Sequence, residues 1–296
     1  MVLRVRITYF FALIALVSSL QAQQKKIVVC STTQTADFAR QIVGDDWQVI
    51  CVLAAGQDPH RYETRIEDSA LIQKADLCVQ NGWHLEGGEW MEKLAANAGK
   101  ELVTCVTGVQ PLLIDESGQQ VKDPHAWFDP ANAAIYVRNI KDSVCRLDPE
   151  NAHKFENRAR LYLGQLNALN NWINSQVVQI PANQKVLVTH HDAFGYFCQA
   201  YKFKSQSPAG WSTEEMGEIS TERRQVVVKT IREFGVRSIF VETSLDNRLI
   251  TEIAREAGVE VGGKLYSDAM GPVDSAGETY IGMMRENVLT IVDALK

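Results

Sequence analysis

The sequence predicts an α/β protein with two lobes joined by one long helix. Short apolar runs alternate with helical stretches in both halves of the chain. Near-continuous apolar runs are typical of parallel strands that helices cover on both faces. Between the halves lies a long segment whose apolar residues recur at spacings of three and four, which is typical of one helical face. We therefore expect each lobe to hold a mostly parallel β-sheet flanked by helices, with one rigid α-helix bridging the lobes.

The first lobe is predicted to span residues 23–148 and to alternate strands with helices. Four short apolar runs are the candidate strands: Ile27–Cys30, Val49–Leu53, Leu77–Val79 and Leu102–Val106. Three amphipathic stretches between them are the candidate helices, near Thr35–Val43, Glu63–Lys74 and Glu89–Ala98. The polar segment from Asp115 to Gln120 is predicted to be a short loop.

The second lobe is predicted to span residues 179–296 and to repeat the same alternation. Its candidate strands are Val186–Thr189, Ser238–Val241 and Val259–Leu265. Its candidate helices lie near Asp192–Tyr201, Glu222–Phe234, Asn247–Ala257 and Gly277–Leu295. Strands that alternate with helices in this way favour parallel pairing.

The connecting helix is predicted over residues 149–178. Asp148 is a suitable N-cap and Pro149 a suitable first helical residue, while Pro181 would end the helix. At 1.5 Å per residue it would be roughly 45 Å long, enough to cross a whole domain. Its apolar positions form one face: Phe155, Ala159, Tyr162, Leu166, Leu169 and Ile173.

Residues 1–22 have the pattern of a secretory signal peptide. Arg4 and Arg6 precede an apolar run, and Ala22 offers a small residue before a cleavage point. We therefore expect export to the periplasm, and, because no cysteine follows the cut, no lipoprotein anchor. The formal net charge is −6 and becomes more negative without the two arginines. Such a balance argues against a nucleic-acid partner and suits a protein that collects cations.

The chain contains six cysteines but no Cys-x-x-Cys pair, which argues against a thiolate zinc site. Four of them, Cys30, Cys51, Cys78 and Cys105, lie in or beside strand-like runs. We expect most of the cysteines to be buried as small apolar residues. The sequence does not predict a disulfide pairing.

The tripeptide Asp-Pro-His occurs twice, as Asp58-Pro59-His60 and Asp123-Pro124-His125. Proline fixes its own φ and restricts the residue before it, so the histidine that follows lies on a stiff loop. The aspartate can bond the local backbone or the imidazole, which fixes the nitrogen that stays free. A stiff histidine with a defined tautomer is what a divalent metal ion requires. The alternative is a pair of ordinary turns with exposed histidines.

Two further candidates follow predicted strands of the second lobe. His190-His191-Asp192 comes directly after Val186–Thr189, and Ser267-Asp268 comes after Val259–Leu265. Open α/β sheets bind ligands beyond the carboxyl ends of their strands. Three histidines and one carboxylate suit Zn²⁺, Mn²⁺ and Fe²⁺.

These residues lie in motifs that resemble the zinc/manganese solute-binding receptors of ABC transporters, the adhesin-type or TroA-like family. The resemblance covers essentially the whole mature chain through ordered stretches that begin at Gly56, Asn81, Asp123, His191 and Leu265. It implies two lobes bridged by a long helix, with the metal in the cleft between them. It also implies four metal ligands, two from each lobe: His60, His125, His191 and Asp268.

The resemblance also separates these residues from competing candidates. His190 departs from the family pattern, which often has a small residue there, so we expect it to be packed or to support a ligand. His84 matches a position that is not a ligand, and His153 lies early on the predicted connecting helix. Glu242, at the end of a predicted strand, is an alternative carboxylate.

The favoured function is that of a binding protein and not of an enzyme. Four protein ligands leave no open position for an activated water, so capture is favoured over hydrolysis. The resemblance implies a divalent metal as the transported ligand and the membrane permease of an ABC importer as the partner. We expect a monomer, and only the family's name suggests adhesion.

The alternative is a metal-dependent hydrolase with three ligands and an open coordination site. Asp268 or Glu242 would then act as the general base. Against it, the sequence has no His-Glu-x-x-His helix, no paired carboxylates near a ligand and no Gly-x-Ser-x-Gly elbow.

Overall fold

The structure, a computed structural model, describes residues 25–116, 119–213 and 221–296. The predicted signal peptide, residues 1–22, lies outside the described residues. None of the helices within these ranges is long and apolar enough to cross a membrane.

The first half contains a four-stranded parallel sheet, as predicted. Its strands are β1 (Ile27–Cys30), β2 (Gln48–Cys51), β3 (Leu77–Gln80) and β4 (Leu102–Thr104), in the order β2-β1-β3-β4. The helices that cover it are α1 (Thr33–Val43), α2 (Ile66–Lys74) and α3 (Trp90–Asn97). Neighbouring valines Val28 and Val29 are both fully buried, because β1 is covered on both faces.

Two features of the first half depart from the prediction. The segment expected to be a polar loop contains parts of an antiparallel pair, β5 (Leu113–Glu116) and β6 (Gln119–Lys122). A further helix that was not predicted, α4, runs over Pro130–Leu147. It begins as sequence rules require, because the Asp129 carboxylate accepts a hydrogen bond from the Ala131 amide (2.8 Å) and proline occupies the first turn.

The connecting helix α5 spans Ala152–Val177, 26 residues. It is therefore about 39 Å long at 1.5 Å per residue. The predicted buried face is confirmed: Phe155, Ala159, Tyr162, Leu166, Leu169 and Ile173 are all buried.

The predicted N-cap of this helix is wrong. Asp148 ends α4 instead, and its carboxylate accepts hydrogen bonds from the Trp47 indole (2.9 Å) and the Asn151 amide group (3.0 Å). Residues 149–151 form a turn between the two helices. An Asp-Pro pair is typical of a helix start. Here the Asp148 carboxylate accepts hydrogen bonds from Trp47 and Asn151 instead, so it does not cap α5.

The second half holds two parallel strand pairs. β7 (Val186–Val188) pairs with β8 (Lys204–Gln206), which was not predicted, and β9 (Ser238–Glu242) pairs with β10 (Glu260–Leu265). The predicted helices are present as α6 (Gly195–Tyr201), α7 (Thr221–Phe234), α8 (Arg248–Ala257) and α9 (Tyr280–Leu295). Both halves therefore have the α/β architecture that the apolar runs indicate.

The last helix returns to the first half of the chain. The Asp37 carboxylate of α1 accepts a hydrogen bond from the Tyr280 amide (3.0 Å), and the Tyr280 hydroxyl donates to the Trp127 carbonyl (2.7 Å). Buried side chains of α1, α4, α5 and α9 belong to one continuous core. Helix α9 thus joins the second half to the core of the first.

The connecting helix offers a matched test of this packing. Leu166 is 1% exposed and Leu161, on the same helix, is 66% exposed. We expect Leu166→Ala to lower the free energy of unfolding by about 2–5 kcal/mol, because it removes buried methyl groups and leaves a cavity. Leu161→Ala should change it by less than about 0.5 kcal/mol. Urea unfolding of both variants measures the difference, and equal losses would contradict the buried face.

Candidate metal centre

The predicted site residues lie on loops next to the ends of strands. His60 lies on the loop that leads from β2 to α2, and His191 follows β7 within a few residues. Asp268 follows β10, and His125 directly precedes a short 3₁₀ turn, Ala126–Phe128. Three of the four residues therefore lie beyond the carboxyl ends of parallel strands, where α/β proteins bind their ligands.

The two Asp-Pro-His tripeptides share the same local hydrogen bond. The His60 amide donates to the Asp58 carboxylate (2.9 Å), and the His125 amide donates to the Asp123 carboxylate (2.9 Å). This turn holds each histidine backbone against the aspartate two residues earlier. The repeated sequence thus produces a repeated backbone geometry.

The two tripeptides differ in what the aspartate does next. Asp123 Oδ1 also lies 2.8 Å from His125 Nδ1, which fixes the ring and leaves Nε2 free to face the site. The Asp58 carboxylate instead accepts a hydrogen bond from the Thr213 hydroxyl. Nδ1 of His60 has no hydrogen-bond partner within the part of the chain that the structure describes. Only the second tripeptide therefore orients its imidazole directly.

The structure brings His60, His125, His191 and Asp268 together. One possible ligand atom from each lies within 4.8 Å of all the others, and each residue is at most 2% exposed. The Nε2 atoms of His60 and His125 are 3.3 Å apart. The two carboxylate oxygens of Asp268 lie 3.3 Å from His125 Nε2 and 3.2 Å from His191 Nε2. The residues that the resemblance implies therefore form one compact group.

Several atoms of this group are buried without a hydrogen bond. Both oxygens of Asp268 and Nε2 of His191 lack a hydrogen-bond partner among the described residues. Burying a carboxylate in this way is costly unless a cation compensates its charge. Three imidazole nitrogens and one carboxylate are a usual donor set for zinc and related divalent ions. The group is therefore chemically suited to such an ion.

Glu242 supports His191 and does not belong to the group. Its Oε1 accepts hydrogen bonds from the amides of His190 (2.9 Å) and His191 (3.1 Å). Its Oε2 lies 2.8 Å from His191 Nδ1, close enough for an ion pair, although the ring N–H is not aligned with the oxygen. A carboxylate behind one ring nitrogen directs the other toward the site. The sequence presented Glu242 as an alternative carboxylate, and the structure places it behind His191, outside the group.

The charges of the group are strongly coupled. Burial lowers the pKa of His60 to about 3, so its imidazole is neutral. Burial also acts to lower the pKa values of His125 and His191, but the carboxylates beside them prevail and raise both. Burial acts to raise the pKa of Asp268, yet the two imidazoles hold it well below its usual range. The carboxylate and the two imidazoles therefore favour one another's charged forms.

The remaining histidines lie outside the group. His190 is buried at 2% exposure but faces a neighbouring cavity. The His84 side chain is 71% exposed, and His153 is exposed on α5. The structure thus separates His191 from its neighbour His190, as alternation along an extended segment predicts.

Sequence reasoning missed residues that support the site. The Asn81 side chain donates to the Pro124 carbonyl (2.9 Å) and accepts from the Tyr136 hydroxyl (2.7 Å), so it anchors the loop that carries His125. The Trp211 ring lies 5.7 Å from that of His60. Asn81 is the first residue of one of the family motifs, and this position was the sequence feature that could have indicated its role. Nothing in the sequence pointed to Trp211.

Asp123 also contacts the second half of the chain through helix α6. A Cβ atom at Gly195 would lie 2.5 Å from Asp123 Oδ2, so only glycine permits this approach. The next residue, Tyr196, donates its hydroxyl to the Asp123 carbonyl (3.2 Å) and accepts from the Leu112 amide (2.8 Å). The aspartate that orients His125 is therefore held against α6.

A family model described as "Zinc-uptake complex component A periplasmic" matches residues 28–294. The chain is 34% identical over 282 residues to the zinc-binding protein TroA of Treponema pallidum, covering 93% of this chain and 90% of the relative. It is 33% identical over 269 residues to the manganese-binding lipoprotein MntA of Halalkalibacterium halodurans, covering 90% and 88%. Both similarities extend over nearly the whole of each chain.

Solved structures agree with this similarity. The periplasmic zinc-binding protein TroA from Treponema pallidum superposes with a TM-score of 0.85 at 32% identity, covering 92% of this chain and 99% of the other. A manganese-bound periplasmic metal-binding protein from Candidatus Liberibacter asiaticus superposes with a TM-score of 0.82 at 28% identity, covering 92% and 100%. The chain therefore belongs to the zinc-uptake component A family, the TroA-like solute-binding receptors of metal ABC transporters, which are not enzymes.

Proposed function

We propose that this protein captures a divalent transition-metal ion in the periplasm and delivers it to the membrane permease of an ABC importer. The observation that carries the proposal is the convergence of four buried ligand atoms, from His60, His125, His191 and Asp268. Relatives named as metal ABC transporter substrate-binding lipoproteins, such as SloC of Streptococcus mutans, support the transport role. We further propose lobes over residues 23–148 and 179–296, a linker over 149–178, and export through residues 1–22.

The arrangement of the ligands supports capture and release of the ion. His60 and His125 come from the first half of the chain and His191 and Asp268 from the second, so an ion bound by all four would bridge the halves. Coordination by four protein groups leaves no open position for a reactive water. A site of this kind holds its ion until the halves are displaced.

We propose that this site binds Zn²⁺ more tightly than Mn²⁺. Imidazole suits zinc, whereas manganese prefers oxygen ligands, and affinity for a given site rises from Mn²⁺ to Zn²⁺. The relatives include proteins named for zinc and for manganese. The identity of the ion that the protein transports is therefore a separate question from the order of its binding affinities.

Substitution of the proposed ligands tests the site. We expect His60→Ala, His125→Ala, His191→Ala and Asp268→Ala each to weaken zinc binding by more than roughly 100-fold, the upper range for an outer-shell change. His84→Ala and His153→Ala, which remove exposed imidazoles, serve as controls and should bind as the wild type does. Competition with a chromophoric chelator measures each dissociation constant. Wild-type affinity in His125→Ala would contradict the assignment.

The position of Glu242 behind the His191 ring leads to a second prediction about zinc affinity. Glu242→Gln keeps the size of the side chain but removes the negative charge near His191 Nδ1. We expect zinc affinity to fall roughly 10–100-fold, as for other outer-shell changes, while the four ligands stay in place. Glu156→Gln, at an exposed position of α5, is the matched control. Unchanged affinity in Glu242→Gln would show that the carboxylate does not orient the ring.

Metal affinity should depend on pH in a defined direction. In the metal-free protein the pKa values of His125 and His191 are raised, so a bound ion must displace their protons. Affinity is then highest above these pKa values and falls as the pH drops through them. The fall should begin above about pH 6.5, the ordinary histidine value. Isothermal titration between about pH 8 and pH 5 measures it, and a constant affinity would contradict the histidine-rich site.

The function itself is tested by uptake. Elemental analysis after growth in defined zinc, manganese or iron identifies the ion retained, and competition titration should rank Zn²⁺ ahead of Mn²⁺. Deletion of the gene should impair growth when the transported metal is scarce, and the wild-type copy, but not His125→Ala, should restore it. Normal metal uptake in the deletion strain would contradict the transport role.

A further inference from the structure

A large cavity lies beside the candidate metal centre, between the two halves of the chain. Its volume is about 890 Å³. One part of the lining is the loop that follows His60, and another consists of His190, residues 244–246, Arg248 and Leu249. Asp58, two residues before His60, lines the cavity, and so does His190, directly before His191. The cavity therefore adjoins the group through residues next to two of its proposed ligands.

The four proposed ligands are themselves closed off from solvent. Each is at most 2% exposed, so an ion has to exchange its water for protein ligands while it passes from the cavity to the group. Divalent transition ions do not lose several waters in one step without cost. A coordinating side chain between solvent and the group would divide this dehydration into smaller steps.

His190 has the properties of such a side chain. It lines the cavity, is 2% exposed, and its Nδ1 has no hydrogen-bond partner within the described residues. An imidazole whose ring nitrogen has no hydrogen-bond partner can offer that nitrogen's lone pair to a metal ion. The Glu242 carboxylate accepts from the His190 amide (2.9 Å), which holds the backbone at this point. A buried imidazole nitrogen without a partner, beside a metal group, is costly unless a ligand meets it.

The charged side chains that line the cavity do not explain how a cation would be drawn into it. Its lining contains equal numbers of basic and acidic side chains: Arg61, Arg65 and Arg248 against Asp58, Glu63 and Asp246. Arg248 and Asp246 also pair with each other (2.7 Å). A balanced lining does not concentrate cations by its electrostatic field. A coordinating nitrogen is a more specific means of drawing in a transition metal.

We propose that His190 is a transit ligand, which binds the divalent ion in the cavity and passes it to the four-residue group. One water leaves the hydrated ion as the His190 imidazole takes its place. The imidazole then leaves in turn as the inner ligands complete the shell. The proposal rests on the proposed function, since it concerns access to the same site. Because His190 assists passage in both directions, its loss should slow binding and release equally.

The experiment is stopped-flow binding of Zn²⁺ and Co²⁺ to the mature protein, followed by tryptophan fluorescence. Trp211 and Trp127 report on the site, since their rings lie 5.7 Å from His60 and 5.3 Å from His125. In His190→Ala we expect the association and dissociation rate constants to fall together, on the order of tenfold, with an unchanged dissociation constant. His153→Ala, which removes an exposed imidazole from α5, should leave both rate constants unchanged.

Two results would overturn the proposal. Unchanged association in His190→Ala would show that the ion does not use this side chain. A faster dissociation with weaker equilibrium binding would make His190 a ligand of the bound state instead. If His190→Ala does not fold, as judged by circular dichroism, His190→Asn provides the same comparison with a polar side chain. Failure of the wild type to bind either ion would instead contradict the proposed function, so the two failures are distinguishable.

Discussion

The site depends on a single buried carboxylate that faces two imidazoles. The oxygens of Asp268 lie 3.3 Å and 3.2 Å from Nε2 of His125 and His191, with no hydrogen bond to either, and a negative charge in such surroundings requires compensation. Protons on the histidines or a divalent ion can supply it. The same interaction therefore governs the charge balance of the group, and it brings together residues from both halves of the chain.

Each half directs one histidine of the group with a carboxylate placed behind the ring. Asp123 lies 2.8 Å from Nδ1 of His125, and Glu242 lies 2.8 Å from Nδ1 of His191. The two arrangements arise from different local structures. Asp123 belongs to the same tripeptide as its histidine, whereas Glu242 reaches His191 from the end of a neighbouring strand, β9. His60 has no such carboxylate on its ring, so its position depends on the backbone turn with Asp58 and on the packed ring of Trp211.

Much of the fold could be predicted from the sequence because it rests on local patterns, whereas the set of four grouped residues came from the family resemblance. Apolar runs gave the strands, the spacing of Phe155 to Ile173 gave the buried face of α5, and the repeated Asp-Pro-His gave two of the grouped residues. The predictions were wrong or incomplete where contacts between residues far apart in the sequence determine the structure. Asp148 looks like an N-cap until Trp47 and Asn151 take its carboxylate. The sequence could not show that Glu242, an alternative carboxylate, lies behind His191, and Trp211 lies in a segment with no local pattern.

The contact between Asp123 and helix α6 links the geometry of one histidine to the position of the opposite half. Gly195 lets the α6 backbone approach the carboxylate, and the Tyr196 hydroxyl bonds the Asp123 carbonyl. Asp123 is thus held between helix α6 and the imidazole of His125. The orientation of His125 therefore depends on contacts from both halves of the chain, and not on its own tripeptide alone.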